Sequence, residues 1–314
     1  MKKIAFLFPG QGAQYIGMAM DFIAENSDFE NTLINFDKKN NTELYKTMKD
    51  GPEDLLKETK FTQPAILFHS IVALKSLLKE IELKPDFVAG HSLGEFSALV
   101  ANGVLSLEDA MYLVHKRGQF MMAANDDEPF AMAAIIGPDS VTVKDFCEKA
   151  SEVGIVVAAN FNTPVQTVIS GSKNGVEKAC ELLTEFGAKR VIPLVVGGPF
   201  HSPLIEKAGV WLADEMEKIN FQKTIIPVIS NVDANPETDT KKIKENLAKQ
   251  VTSSVLWVDS IHYLIDNGVE LFIEFGPKKV LAGMMRKIDK TAKIISVDSI
   301  ETLQNVKEEI KKYV

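Results

Sequence analysis

Apolar and polar positions along the chain fall into short unbroken runs and longer periodic stretches, and the two alternate. Ile4 to Phe8 is an unbroken apolar run that reads as a buried strand, followed by the tight loop Pro9-Gly10-Gln11-Gly12-Ala13-Gln14. Residues 16–56 carry short periodic pieces with polar breaks, which predicts short helices. A helix is expected from Thr62-Gln63-Pro64, with proline tolerated in the first turn and Leu67, Ile71, Leu74 and Leu78 as a buried stripe. Asp86 to Ala89 predicts a second strand, Glu95 to Ala101 a helix, and Leu107 to about Ala123 another. That last helix has an apolar face of Ala110, Val114 and Met121, interrupted by Arg117.

After the polar break Asn125-Asp126-Asp127-Glu128-Pro129 the pattern changes. Ala131–Ile136, Ile155–Ala159, Gln166–Ser170 and Arg190–Val196 read as strands, with helices over 141–153 and 175–186 between them. The order βαββαβ is ferredoxin-like and marks residues 126–197 as a small inserted domain. The large domain then comprises 1–125 and 198–314. Its second part predicts a helix over 204–219, a strand at 227–230 and helices over 241–250 and 258–267. A strand at 271–275, a helix carrying Val280, Leu281 and Met284, a strand at 294–297 and a terminal helix complete it. Strands alternating with helices imply an α/β fold with a largely parallel sheet and helices on both faces.

Composition narrows the class. The chain has 314 residues, 46% of them hydrophobic and 25% charged, as in a globular protein. A net charge of −8 argues against general nucleic-acid binding. The two cysteines, Cys147 and Cys180, have no metal-ligand spacing and fit a reduced, cytoplasmic protein. The apolar start is too short for a secretory signal, and no apolar run is expected to span a membrane.

The chemistry concentrates at Gly90-His91-Ser92-Leu93-Gly94, a G-x-S-x-G between a predicted strand and a predicted helix. A serine on such a turn keeps its hydroxyl exposed, and glycines on either side permit close backbone approach. An ordinary strand-to-helix turn is the bland alternative. The Gly10/Gly12 loop is not a dinucleotide fingerprint, because Tyr15 stands where the third glycine belongs, and no P-loop follows. Of five histidines, His69, His115 and His262 lie in helical patterns and His91 adjoins the serine, its side chain expected to point elsewhere. His201, after Gly197-Gly198-Pro199, is the best base candidate, against a surface-loop histidine as alternative. Asp139, Asp145, Glu148 and Glu177 lie between Ser92 and His201 but fall in the insertion, so a standard Ser-Asp-His triad is poorly supported. A Ser-His pair oriented by a carbonyl fits better. No metal-binding pattern is present. Arg117 on an apolar stripe needs a partner, either a structural carboxylate or an anionic ligand.

The chain resembles the malonyl-CoA:acyl carrier protein transacylase family of fatty acid and polyketide synthesis. The residues that carry the likeness are Phe8-Pro9-Gly10-Gln11-Gly12, Gly90 to Glu95, Arg117-Gly118, Gly198 to His201, Gln250-Val251 and Glu274-Phe275-Gly276-Pro277. The resemblance implies a hydrolase-like large domain with a ferredoxin-like insertion, and malonyl transfer through a serine-bound acyl group. It makes Ser92 the nucleophile, His201 its base, and Gln250 the residue whose backbone carbonyl orients the imidazole. It places the oxyanion at the N–H groups of Gln11 and Leu93, and the malonyl carboxylate on Arg117. Asn160 and Asn162 would line the acyl pocket, and Phe200 would favour malonyl over methylmalonyl. The Gly197-Gly198-Pro199 loop departs from several family versions. No metal or cofactor is implied beyond the two substrates, malonyl-CoA and phosphopantetheinylated acyl carrier protein. No nucleic acid or membrane partner is expected, and the chain is expected to act as a monomer.

Two other classes compete. A serine esterase or thioesterase would leave Arg117 without a partner. A non-catalytic carrier-docking module would not need Ser92 and His201. The carrier is expected at Lys278, Lys279, Arg286, Lys287 and Lys290, with Lys189 and Arg190 as a second basic cluster, unless these are a solvated face.

Overall fold

The computed structural model describes residues 2–125 and 128–313. The boundary expected at Asp126-Asp127 therefore lies outside the described residues. The chain opens with strand β1 (Lys3–Phe8) and helices α1 (Met20–Glu25), α2 (Ser27–Asn40), α3 (Leu44–Asp50), α4 (Glu53–Lys57) and α5 (Thr59–Glu80). Strand β2 (Phe87–Gly90), α6 (Gly94–Ala101) and α7 (Leu107–Ala123) follow. Next come β3 (Phe130–Ile136), α8 (Ser140–Ala150), β4 (Val156–Thr163), β5 (Gln166–Ser172), α9 (Lys173–Phe186) and β6 (Arg190–Pro193). The last part holds α10 (Glu206–Glu217), β7 (Val228–Ile229), β8 (Pro236–Glu237), α11 (Thr240–Gln250) and α12 (Trp257–Asp266). It closes with β9 (Val269–Phe275), α13 (Val280–Ile288), β10 (Ile294–Val297) and α14 (Ile300–Ile310).

As the alternation predicts, the large sheet is parallel and α/β in character. Its order is β10-β9-β1-β2-β7-β8, with only the β7–β8 pair antiparallel. Central β1 is apolar on both faces because helices cover both. The second sheet is antiparallel in the order β4-β5-β3-β6, the ferredoxin-like arrangement, over a separate core that includes Ile135, Val143, Cys147, Ile169 and Leu183. The small sheet is tied to the segment between α11 and α12, where Asn160 bridges Val255 and the Phe161 N–H donates to the Val255 carbonyl at 3.0 Å.

Several boundaries differ from the sequence reading. Helix α5 starts at Thr59, so Pro64 sits inside it rather than in its first turn. The carbonyl that Pro64 cannot bond, that of Lys60, is taken by His115 Nδ1 at 2.9 Å, which repairs the gap. Leu67, Ile71 and Leu74 are buried, whereas Leu78, near the helix end, is 40% exposed. By length and composition α5 is apolar enough to cross a membrane, contrary to expectation, but 83% of that stretch is buried inside the protein. A helix apolar all round is what a central core position requires. The helix expected over 204–219 divides into a short 3-10 turn (Pro203–Ile205) and α10. Strand β4 extends past Ala159 to Thr163 and thereby carries Asn160 and Asn162.

Candidate active site

The turn between β2 and α6 carries Ser92 at φ +50°, a left-handed conformation costly for any residue with a Cβ. A Cβ on Gly90 would run into the backbone of Gly94, and one on Gly94 into the Phe8 carbonyl of β1. Only glycine at both places lets the turn be this tight. Asn231, just beyond β7, clamps it: its Oδ1 accepts the Ser92 N–H at 2.6 Å and its Nδ2 donates to the Gly90 carbonyl at 2.8 Å. Asn231 is fully buried, so both bonds are made out of water.

His201 also has positive φ, +59°, and its N–H is tied to the Val251 carbonyl at 3.1 Å. Its Nδ1 lies 2.8 Å from the carbonyl oxygen of Gln250, the last residue of α11. A carbonyl only accepts, so Nδ1 carries the proton and Nε2 is bare. Nε2 lies 2.9 Å from Ser92 Oγ. A neutral imidazole so placed can take the serine proton. Burial, and next the charge of Arg117, push the imidazole down to about 3, which keeps it neutral at physiological pH.

Arg117 projects from α7 into the same space and is 1% exposed. One of its terminal nitrogens donates to Ser92 Oγ at 2.9 Å and to Gln250 Oε1 at 2.8 Å. Its Nε has no partner. Burial pulls the guanidinium down to about 10, and Glu95 opposes that pull, so it stays charged at neutral pH. No ion pair to Arg117 occurs among the described residues; Glu95 is joined to it only through Gln250, whose Nε2 donates to Glu95 Oε2 at 2.7 Å. A buried guanidinium with a spare donor beside a serine hydroxyl is a ready receptor for a carboxylate.

These groups line a cavity of about 270 Å³ with Gly10, Gln11 and Leu93 from the two loops and Met121, Met132, Phe200, Leu281 and Met284 as apolar wall. No hydrogen bond of the described residues uses the N–H of Gln11 or Leu93. Asn160 and Asn162 are buried and line the cavity from β4. His91 turns from the serine, as expected, and its Nε2 bonds Asn162 Oδ1 at 2.8 Å with its ring against Trp257. Glu274 accepts from the N–H groups of Leu281 and Ala282 at 2.8 and 3.0 Å, which fixes the start of α13 and the wall it supplies.

A family model described as an acyl transferase domain matches residues 5–311. The chain belongs to this acyl transferase family. It is 45% identical over 314 residues to the malonyl CoA-acyl carrier protein transacylase of Bacillus subtilis, covering 98% of this chain and 99% of that protein. Among solved structures it is similar to an acyl-carrier-protein S-malonyltransferase from Burkholderia pseudomallei, with TM-score 0.93, 39% identity and coverage of 98% and 99%. It is also similar, at TM-score 0.93 and 34% identity over 98% and 99% of the chains, to a malonyl-transacylase solved in complex with a type II PKS acyl-carrier protein.

The acyl transferase site includes residues to which sequence reasoning gave no role. Asn231 holds the serine turn, and Glu95 lies buried behind Gln250. A signal existed for each: Glu95 is a lone charge in an apolar helix, and Asn231 follows a parallel strand at its carboxyl end, where α/β sheets place ligands. Lys278, Lys279, Arg286, Lys287 and Lys290 are exposed on and around α13, and Lys189 and Arg190 are exposed at the start of β6. His69 and His115 are buried and take no part in the cavity. Among the described residues no group of His, Cys, Asp and Glu is suited to hold a metal ion.

Proposed function

We propose that this acyl transferase moves a malonyl group from malonyl-CoA to the phosphopantetheine thiol of an acyl carrier protein, by way of an ester on Ser92, in fatty acid synthesis. The relatives' names support the reaction, and one similar structure is itself a complex with a carrier protein. The observation that carries the substrate class is Arg117, buried beside Ser92 Oγ with its Nε unpartnered. A neutral ester gives that charge no counter-ion, so the esterase reading is not favoured, and the bonded Ser92–His201 pair disfavours a docking module.

In this reading His201 Nε2 takes the Ser92 proton as Oγ attacks the thioester carbonyl. The tetrahedral oxyanion collects the N–H groups of Gln11 and Leu93. His201 returns the proton to the departing CoA thiolate, and then deprotonates the carrier thiol for the reverse attack. Gln250 keeps the ring oriented through its carbonyl, and Arg117 holds the malonyl carboxylate throughout. Serine and imidazole suffice for this chemistry, so no cofactor is required. Asn160, Asn162 and Phe200 shape the acyl pocket, with residues 126–197 acting as a subdomain that covers it. The free cysteines Cys147 and Cys180 support a reducing compartment, the cytoplasm.

The deciding experiment is intact-protein mass measurement after incubation with malonyl-CoA. The expected result is a malonyl increment on the wild type that is absent from Ser92→Ala. An increment that persists in Ser92→Ala would overturn the assignment.

A further inference from the structure

Gln250 touches both halves of the catalytic machinery and is itself held by a third group. Its backbone carbonyl accepts the His201 Nδ1–H hydrogen bond at 2.8 Å, and its side-chain oxygen accepts one from Arg117 at 2.8 Å. Its Nε2 donates to Glu95 Oε2 at 2.7 Å and to the Ser92 carbonyl at 3.1 Å. Glu95 Oε2 also accepts the Asn231 N–H at 3.1 Å. All four side chains are buried: Glu95 at 2%, Arg117 at 1%, and Gln250 and Asn231 at 0% exposure.

Glu95 Oε2 accepts from both Gln250 Nε2 and the Asn231 N–H, so it holds the NH₂ end of the Gln250 amide toward itself. The amide oxygen then has to face Arg117. Reversing the amide would set oxygen against carboxylate and NH₂ against guanidinium. Glu95 thus fixes the polarity of a relay that ends on Arg117, without touching Arg117 itself. It is also the carboxylate that balances Arg117 in the empty site. A malonyl carboxylate arriving at Arg117 brings a second negative charge into this sealed cluster, where a single guanidinium has to serve two anions. In a site of low polarisability that arrangement favours neutralising one of them.

We propose that Glu95 is a positioning residue that orients Arg117 through Gln250, and that loading of a malonyl group draws a proton from solvent onto Glu95, whereas loading of a neutral acyl group does not. This rests on the malonyl reading above. The groups that face Glu95 are Arg117 from α7, Gln250 from α11, and Asn231 and Asp233 from the segment after β7. His201, which Arg117 also faces, is held neutral by burial, and burial lowers His91 likewise, so neither adds charge to the cluster at neutral pH. Burial and Asp233 raise the Glu95 carboxyl to about 7, against the lowering effect of its hydrogen bonds and of Arg117, so it is poised to take up a proton near neutrality.

The test compares kcat/KM for malonyl-CoA and acetyl-CoA from pH 6 to 9 in wild type, Glu95→Gln and Glu95→Ala. In wild type the malonyl-to-acetyl ratio should fall as pH rises, because more Glu95 is ionised and repels the incoming carboxylate. Glu95→Gln keeps an acceptor for Gln250 and Asn231 but carries no charge. Its ratio should be flat and, at pH 9, roughly tenfold above wild type. Glu95→Ala frees Gln250, so both substrates should slow, with the malonyl KM rising most. The same downward slope in Glu95→Gln would overturn the proposal. A second measurement needs no Glu95 variant: calorimetry of malonyl-CoA and acetyl-CoA binding to Ser92→Ala at pH 8 in two buffers of different ionisation enthalpy. Net proton uptake with malonyl-CoA alone is expected, and equal uptake with both, or none with either, refutes the idea. If wild type takes no malonyl increment by mass, the malonyl reading fails instead, and the two failures are distinct.

Discussion

Replacing Arg117 by alanine should change which acyl groups the enzyme accepts far more than how fast it turns over. The guanidinium is desolvated, donates to Ser92 Oγ at 2.9 Å and Gln250 Oε1 at 2.8 Å, and has an unpartnered Nε. A malonyl carboxylate bound there forms a buried charge pair, and removing one partner of such a pair costs about 2–5 kcal/mol. That corresponds to a loss of about 30- to 5,000-fold in kcat/KM for malonyl-CoA. Acetyl-CoA brings no carboxylate. For it Arg117 is an unneutralised charge beside an imidazole that has to become imidazolium as Ser92 loses its proton. Arg117 is the second cause, after burial, of the low His201 basicity, so its removal should leave acetyl transfer unchanged or faster. Arg117→Lys should recover only part of the malonyl rate, since an ammonium cannot reproduce the planar fork. The assay is kcat/KM for both CoA esters in wild type, Arg117→Ala and Arg117→Lys. A loss by the same factor for malonyl and acetyl would refute the reasoning and make Arg117 a structural support of Gln250.

Four further outcomes are expected. His201→Ala should slow acylation by about 10²–10⁴-fold, measured by single-turnover malonyl loading; a near-normal rate would remove it as the base. Asn231→Ala should destabilise the fold by about 1–3 kcal/mol, because it orphans the buried Ser92 N–H and Gly90 carbonyl, as read from urea unfolding. His69 is held down to about 3 by burial, below its unfolded value, so the unfolded chain binds more protons between pH 6.5 and 3 and stability falls as pH drops through that window. His69→Phe keeps the edge contact with Phe22 and should make the unfolding free energy less sensitive to acid, by up to about 1.4 kcal/mol per pH unit; an unchanged slope would contradict this. Lys287→Glu on exposed α13 should raise KM for the carrier protein and not for malonyl-CoA, with the difference shrinking at high salt.

What the sequence disclosed follows from the range of each rule. Ser92 was legible because the demand for glycine at 90 and 94 is local sterics, written within a few residues. The alternation of strand and helix was legible for the same reason, since period and run length are local. Arg117 stood out as a breach of an apolar stripe, but its surroundings did not: the choice between carboxylate and ligand depended on Gln250, far away in sequence. The fixed pair His201–Gln250 carbonyl left no mark in any spacing. Asn231 lies 139 residues from Ser92 and Gln250 lies 155 from Glu95. Hydrogen bonds of such reach are made by the fold: Glu95 breaks an apolar helix and Asn231 follows a parallel strand, but neither position says which distant group it holds. The start of α5 was misplaced by the same logic. Pro64 reads locally as a first-turn residue, and the helix extends back to Thr59 because His115, on another helix, bonds the Lys60 carbonyl that Pro64 leaves free. Local rules therefore placed the nucleophile, and the groups that tune it belong to contacts that close only when the two sheets and their helices are assembled. Mutations at Glu95, Asn231 and His115 should accordingly separate what the fold contributes from what the motif alone contributes.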